Sequence, residues 1–145
     1  MDRLNQRYQV LLKALNMLQS AVNMLTALEK NTYTFSENAE RRQMLMDSVV
    51  LRFKYTASLF WKYLEEYLEH VIGLIVITGP FPVMRTSLTA GMMNVQETEK
   101  ALEMIRDLNM LLRGYVDEST EPLTKKIAEY YVCMRAVAQR LEPKN

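Results

Sequence analysis

From Thr34 to Gly73 the chain runs without an internal glycine or proline, and no other feature constrains its fold as much. The two residues that most often interrupt a helix are missing, so the segment can form one helix, about 50 Å long if it reaches His70 at 1.5 Å per residue. Thr34 and Glu37 have the Thr-x-x-Glu spacing of a capping box, in which the hydroxyl accepts from an orphan amide and the carboxylate reaches back. The helix is expected to start there. Its core stripe reads Met46, Val50, Phe53, Ala57, Phe60, Trp61, Leu64 and Leu68. Beside it, Tyr55, Leu59, Tyr63 and Tyr67 recur every four residues and drift round the helix. More than half of the circumference is then apolar or aromatic, too much for one neighbour to bury. These four residues are therefore expected to face a partner.

The segment before it, 3–30, places Leu4, Tyr8, Leu11, Leu15, Leu18, Val22 and Leu25 at steps of three and four, the pattern of a long amphipathic helix. Val10, Met17 and Met24 recur every seven residues on another face, with Ala14 and Ala21 between them. This second stripe also asks for a partner. Gly73, Gly79, Pro80 and Pro82 break the pattern. Pro82 is placed to open a short helix ending at Gly91, since proline at a first helical position forfeits only an orphan amide. VIGLIVI, 71–77, has no second strand to pair with, so a packed loop capping one bundle end is expected. Asn94 and Glu97 signal a further helix with a face of Thr98, Ala101, Leu102, Ile105, Leu108 and Leu112, stopping near Gly114. A last start signal at 119–122 precedes Leu123, Ile127, Tyr130, Met134, Val137 and Leu141, again at steps of three and four. The expected fold is all-α, an antiparallel up-and-down four-helix bundle with one additional short helix, in a single domain covering 1–145. The doubled apolar faces make a homodimer the simplest closed assembly.

A chain of 145 residues can bury a core without staples. Its one cysteine, Cys133, cannot form an internal bridge, and with one histidine the chain cannot build a zinc finger from Cys and His ligands. With 18 basic and 17 acidic residues, interleaved, bulk coating of duplex nucleic acid is disfavoured, whereas a local basic cleft is not. The charged start MDRLNQRYQV does not read as a secretory leader, and an uninterrupted apolar run of seven residues is too short to cross a membrane. The expectation is a cytoplasmic protein with no membrane span, metal or cofactor.

Most catalytic templates fail on inventory: there is no phosphate-cradling glycine loop, no Gly-x-Ser-x-Gly and no pair of histidines on a helix. His70 reads as a polar helix terminus, Cys133 as a small interior or interface residue, and Glu65, Glu66 and Glu69 as a solvated helix face. The segment 103–119 holds more chemistry. Arg106 and Asn109 are three apart and Arg113 is seven beyond Arg106, so all three leave one side of a helix, with Tyr115 just past its end. Across a dimer axis two copies would gather four guanidiniums, enough to hold a phosphate or an RNA backbone.

The order of the parts resembles the HEPN proteins of the nucleotidyltransferase substrate-binding type, small helical partners encoded beside minimal nucleotidyltransferases. DSVVLRFKYTASLFWKYLEEYLEHVIG, 47–73, is similar to the family's second helix, through Arg52, Phe53, Tyr55, Thr56, Trp61, Lys62, Leu64, Tyr67 and Leu68. GPFPVMRTSLTAGMM is similar to its turn and short helix, through Pro80 or Pro82, Val83 or Met84, Arg85 and Gly91. The family's Met-x-x-x-Arg-Asn-x-x-x-His-x-Tyr signature falls on Met104, Leu108, Asn109, Arg113 and Tyr115. The resemblance implies the bundle, a nucleotidyltransferase partner, and a Tyr115 in the place of a tyrosine that such partners modify with AMP in toxin–antitoxin pairs.

The departures bear on activity. HEPN ribonucleases use an Arg and a His; here the Arg position is Leu108, with Arg106 the nearest substitute two residues earlier, and the His position is Arg113. Arginine stays protonated and cannot serve as a general base, though it can stabilise phosphate charge. The reading is a non-catalytic HEPN-like helical dimer that binds a minimal nucleotidyltransferase or presents substrate to it, as half of a toxin–antitoxin pair. Arg106, Asn109, Arg113 and Tyr115 would hold substrate or phosphate, and Val10, Met17 and Met24 with the tyrosine line would meet partners. The alternatives are a ribonuclease toxin with an altered site built on Arg106, Asn109 and Arg113, and a helical protein-binding adaptor.

Overall fold

In the computed structural model the described residues are 2–30, 35–75, 79–114 and 120–144. They form five α-helices in chain order: α1 (Asp2–Glu29), α2 (Phe35–Tyr67), α3 (Pro80–Thr89), α4 (Val95–Leu112) and α5 (Thr120–Arg140). No strand occurs among them, and none of these helices is long and apolar enough to cross a membrane. The capping box expected at Thr34 and Glu37 and the start signal at 119–122 lie outside the residues whose side chains are described.

The long glycine-free segment becomes the hub, because α2 packs on α1, α3, α4 and α5. Met46, Val49, Val50, Phe53, Ala57, Phe60, Tyr63, Leu64 and Leu68 along it are buried. Ion pairs set its direction against α1: Arg42 meets Glu29 at 3.4 Å, and Arg7 meets Glu66 at 3.2 Å, so the two helices run antiparallel. Salt bridges from Lys100 to Glu129 and from Arg140 to Glu97 set α4 against α5 in the same way. With Phe53 beside Tyr130 and Tyr63 reaching Leu141, α5 lies parallel to α2. The four long helices are therefore an up-and-down bundle, with α3 packed against α2 and α4.

In α1, Leu4, Tyr8, Leu11, Leu15, Leu18 and Leu25 are buried, and so are Ala14 and Ala21 from the second stripe. The alanines lie at the seam with α2, where Thr56 donates to the Ala14 carbonyl at 3.4 Å and to its own Arg52 carbonyl at 2.7 Å. Val10, Met17 and Met24, which are larger, stay exposed. Of the expected last stripe, Ile127, Tyr130, Met134, Val137 and Leu141 are buried and Leu123 is half-buried.

Three expectations need correction. Tyr63, expected at a partner interface, is 1% exposed, whereas Tyr55 on the same line is 57% exposed. Each four-residue step advances the direction by about 40°, so two steps carry Tyr63 roughly 80° inward of Tyr55. Its hydroxyl donates to the Leu141 carbonyl at 2.7 Å, its ring lies 5.6 Å from that of Tyr8, and burial pushes its phenol pKa upward. Leu59 and Tyr67 are half-buried, as is Trp61 from the core stripe. Second, Leu112 is exposed and Leu111 and Met104 take the inner face of α4. Third, of the run 71–77 expected to pack as a cap, Val71, Ile72, Leu74 and Ile75 lie at the surface, and Val76 and Ile77 lie outside the described residues. After α2 the chain widens into a π turn, Leu68–Ile72, closed by Gly73 at φ 85° with the Gly73 and Leu74 amides both on the Leu68 carbonyl. That winding leaves only Leu68 in the core.

Tyr63→Phe is expected to cost about 1–2 kcal/mol, the worth of a buried hydrogen bond whose acceptor is left behind. Urea unfolding of the two proteins measures it, and an unchanged midpoint would show that this bond does not tie α5 to α2.

Candidate functional site

The α4 helix starts on a complete capping box. The Asn94 side chain accepts from the Glu97 amide at 2.8 Å, and Glu97 accepts from the Asn94 amide at 3.0 Å. Arg140, from the far end of α5, donates to both Glu97 oxygens and to the Met92 carbonyl at 2.9 Å. These bonds hold the Glu97 carboxyl below its ordinary pKa. Farther along, Lys126 of α5 pairs with Glu103 and Asp107, Lys100 pairs with Glu129, and the Tyr130 hydroxyl donates to Asp107. Burial first, and then Asp107, pushes the Tyr130 phenol pKa upward.

This lattice clamps the α5-facing side of α4 and leaves its outer side free. Arg106 and Arg113 are exposed and Asn109 is half-buried, while the neighbouring Ile105, Leu108 and Leu111 are buried. The two arginines are seven residues apart, nearly two full turns, so they share one stripe. Neither makes an ion pair among the described residues. Arg113 is the C-cap, its amide donating to the Asn109 carbonyl at 3.1 Å, and Gly114 follows at φ 82°. Tyr115 lies outside the described residues. Arg106 is not a substitute for the position held by Leu108. Two residues turn about 200° round a helix, and Leu108 is 2% exposed in the core while Arg106 faces out.

Two residues read as bland have specific surroundings. Glu66 is not a solvated carboxylate: its side chain is 14% exposed, beneath Arg3 at 3.3 Å, Arg7 at 3.2 Å and His70 at 3.2 Å. The i,i+4 spacings of Arg3 with Arg7 and of Glu66 with His70 were the available signal; that the two pairs meet depends on how α1 lies on α2. Cys133 is half-buried, with its thiol 3.7 Å from the Glu97 carbonyl, and burial pushes its pKa up to about 11. That is the state of an unreactive thiol.

Three grooves follow the outer seam of α1 and α2. One of about 290 Å³ is lined by Arg3, Gln6, Arg7, Val10 and Leu59. The next, of similar volume, includes Met17, Met24 and Arg52, and the third, about 490 Å³, includes Met24, Leu28, Arg41 and Met44. Val10, Met17 and Met24 all open onto this seam, as their seven-residue spacing implied.

A family model described as nucleotidyltransferase substrate binding protein like matches residues 6–143. Among solved structures, a crystal structure of a protein from Thermus thermophilus is similar at 25% identity and a TM-score of 0.65, covering 88% of this chain and 100% of that one. No curated protein matches the sequence.

Proposed function

The chain belongs to the nucleotidyltransferase substrate binding protein-like family, and on that premise we propose that it is a non-catalytic helical partner that docks on a minimal nucleotidyltransferase and presents substrate to it. The observation that carries the reading is the family match, which runs across nearly the whole bundle, from residue 6 to residue 143. The outer stripe of α4 supports the presenting role. Arg106 and Arg113 are exposed cations held at a fixed spacing by a clamped helix, and Asn109 between them adds an amide. Paired guanidiniums of this kind suit a phosphate-bearing substrate. Arg113 stands at the helix end where the resemblance would put histidine, and a permanently protonated side chain cannot take a proton in a cleavage step.

In this reading the working unit is a homodimer, whose second copy doubles the basic stripe, and the pair with the nucleotidyltransferase operates as a toxin–antitoxin couple in the cytoplasm. The test is reconstitution with a minimal nucleotidyltransferase from the same genome. The two proteins are expected to co-elute at micromolar concentration, and separate elution would end the proposal. Arg106→Ala/Arg113→Ala is expected to lower nucleotide transfer at least tenfold, the loss that even one of its two charge-assisted contacts accounts for, while the complex still forms. RNA incubated with the chain alone is expected to stay intact.

A further inference from the structure

The seam between α1 and α2 has a chemistry of its own. Among the described residues every charged side chain lining its three grooves is an arginine: Arg3 and Arg7 at one end, Arg52 in the middle and Arg41 at the other end. Among the described residues no aspartate or glutamate lines any of them. The floor is apolar and rich in methionine, with Met17, Met24 and Met44 43%, 59% and 65% exposed. At the first end Glu66 offsets Arg3 and Arg7. Among the described residues neither of the other two arginines has an ion pair: Arg52, in the middle, donates to the Ser48 hydroxyl at 3.3 Å, and Arg41 stands at the other end.

We propose that this seam is the docking surface for an acidic, amphipathic helical face of the nucleotidyltransferase partner, which deepens the functional reading above and rests on it. Val10, Met17 and Met24 recur every seven residues, the period at which one helix accepts the knobs of another laid along it. Flexible methionines adapt to whatever apolar side chains a partner helix presents. A concave, elongated seam with exposed apolar side chains is the form of helix-in-groove recognition. The arginine rim selects the sign of the partner. A second copy of this chain docked here by a two-fold axis would bring Arg3, Arg7, Arg41 and Arg52 of both chains into one interface with two Glu66 residues already engaged, and like charges brought together oppose association. A helix with carboxylates flanking its apolar stripe meets the same rim favourably.

The test uses the whole chain labelled at its methionine methyl groups and the same unlabelled minimal nucleotidyltransferase. The methyl resonances of Met17, Met24 and Met44 are expected to shift on titration, with or without that of Met110 beside the α4 arginines, while that of Met134, buried on α5, stays in place. Arg41→Glu/Arg52→Glu is expected to weaken the complex at least tenfold, with Arg41→Lys/Arg52→Lys retaining most of the affinity and Lys125→Glu on α5 binding as the native chain does. Because the methyl map is read on the unmutated protein, a misfolded variant does not obscure the result. Complex formation that shifts Met110 and spares the seam would overturn the docking surface while leaving the functional reading intact, whereas no complex at all removes the functional reading itself. If the seam methyls shift when the chain alone is concentrated, the occupant is a second copy; if they shift with phosphatidylserine vesicles and not with the nucleotidyltransferase, it is a membrane. Either result overturns the proposal.

Discussion

Phe53→Ala is expected to destabilise the protein by about 3–5 kcal/mol, the range for emptying a fully buried aromatic site. Phe53 has no exposed surface and sits on the hub helix, stacked at 5.7 Å and 23° on Tyr130 of α5. Tyr130 in turn bonds Asp107 of α4, so the ring supports a contact chain through three of the four bundle helices. The aromatic pair adds to the area lost. Since domains of this size are stable by only about 5–15 kcal/mol, the variant should be close to its folding threshold at 37 °C. Urea unfolding at 25 °C measures the change. Tyr55→Ala, two residues on and so about 200° round the helix on its exposed side, is the comparison and is expected to cost less than about 1 kcal/mol. Equal losses at the two positions would mean that α2 does not present the face described.

The second large effect is expected at Glu97. One carboxylate closes the α4 capping box and receives Arg140, so it joins the start of one helix to the end of another. Glu97→Ala should cost about 2–3 kcal/mol, combining a lost cap with a lost charge-assisted bond. Part of that stabilisation depends on pH. The Arg140 bond, as the leading cause, lowers the Glu97 pKa below its ordinary value of 4.5. A depressed carboxylate contributes stability that is fully present above the unfolded value and is lost as pH falls through the folded one. Native protein should therefore lose stability below about pH 4.5 more steeply than Glu97→Gln. Thermal unfolding from pH 7 to pH 3 checks this, and parallel curves for the two proteins would show that Glu97 carries no such linkage.

Element identity was legible because it is written in local patterns. The uninterrupted run to Gly73, the Asn94 and Glu97 pair, and the regular steps of α5 each report on residues near in sequence, and each corresponds to a helix at the expected place. The outer stripe of Arg106, Asn109 and Arg113 was legible for the same reason, since residues three and seven apart share a helix face whatever surrounds it. Tyr63 was not. A four-residue repeat looks like a stripe on paper but precesses, and whether its drift ends in solvent or in the core depends on where α1 and α5 lie.

The sequence by itself determined five helices, their apolar faces, and a surplus of apolar surface on α1 and α2, because backbone periodicity converts spacing directly into direction. Only the tertiary structure decided what that surplus is. It buried Ala14, Ala21 and Tyr63, brought Arg3 and Arg7 onto Glu66, and left Val10, Met17, Met24 and four arginines along one open seam. Those outcomes depend on contacts between residues tens of positions apart. The packing of whole helices sets such contacts, and no spacing along a single helix encodes them.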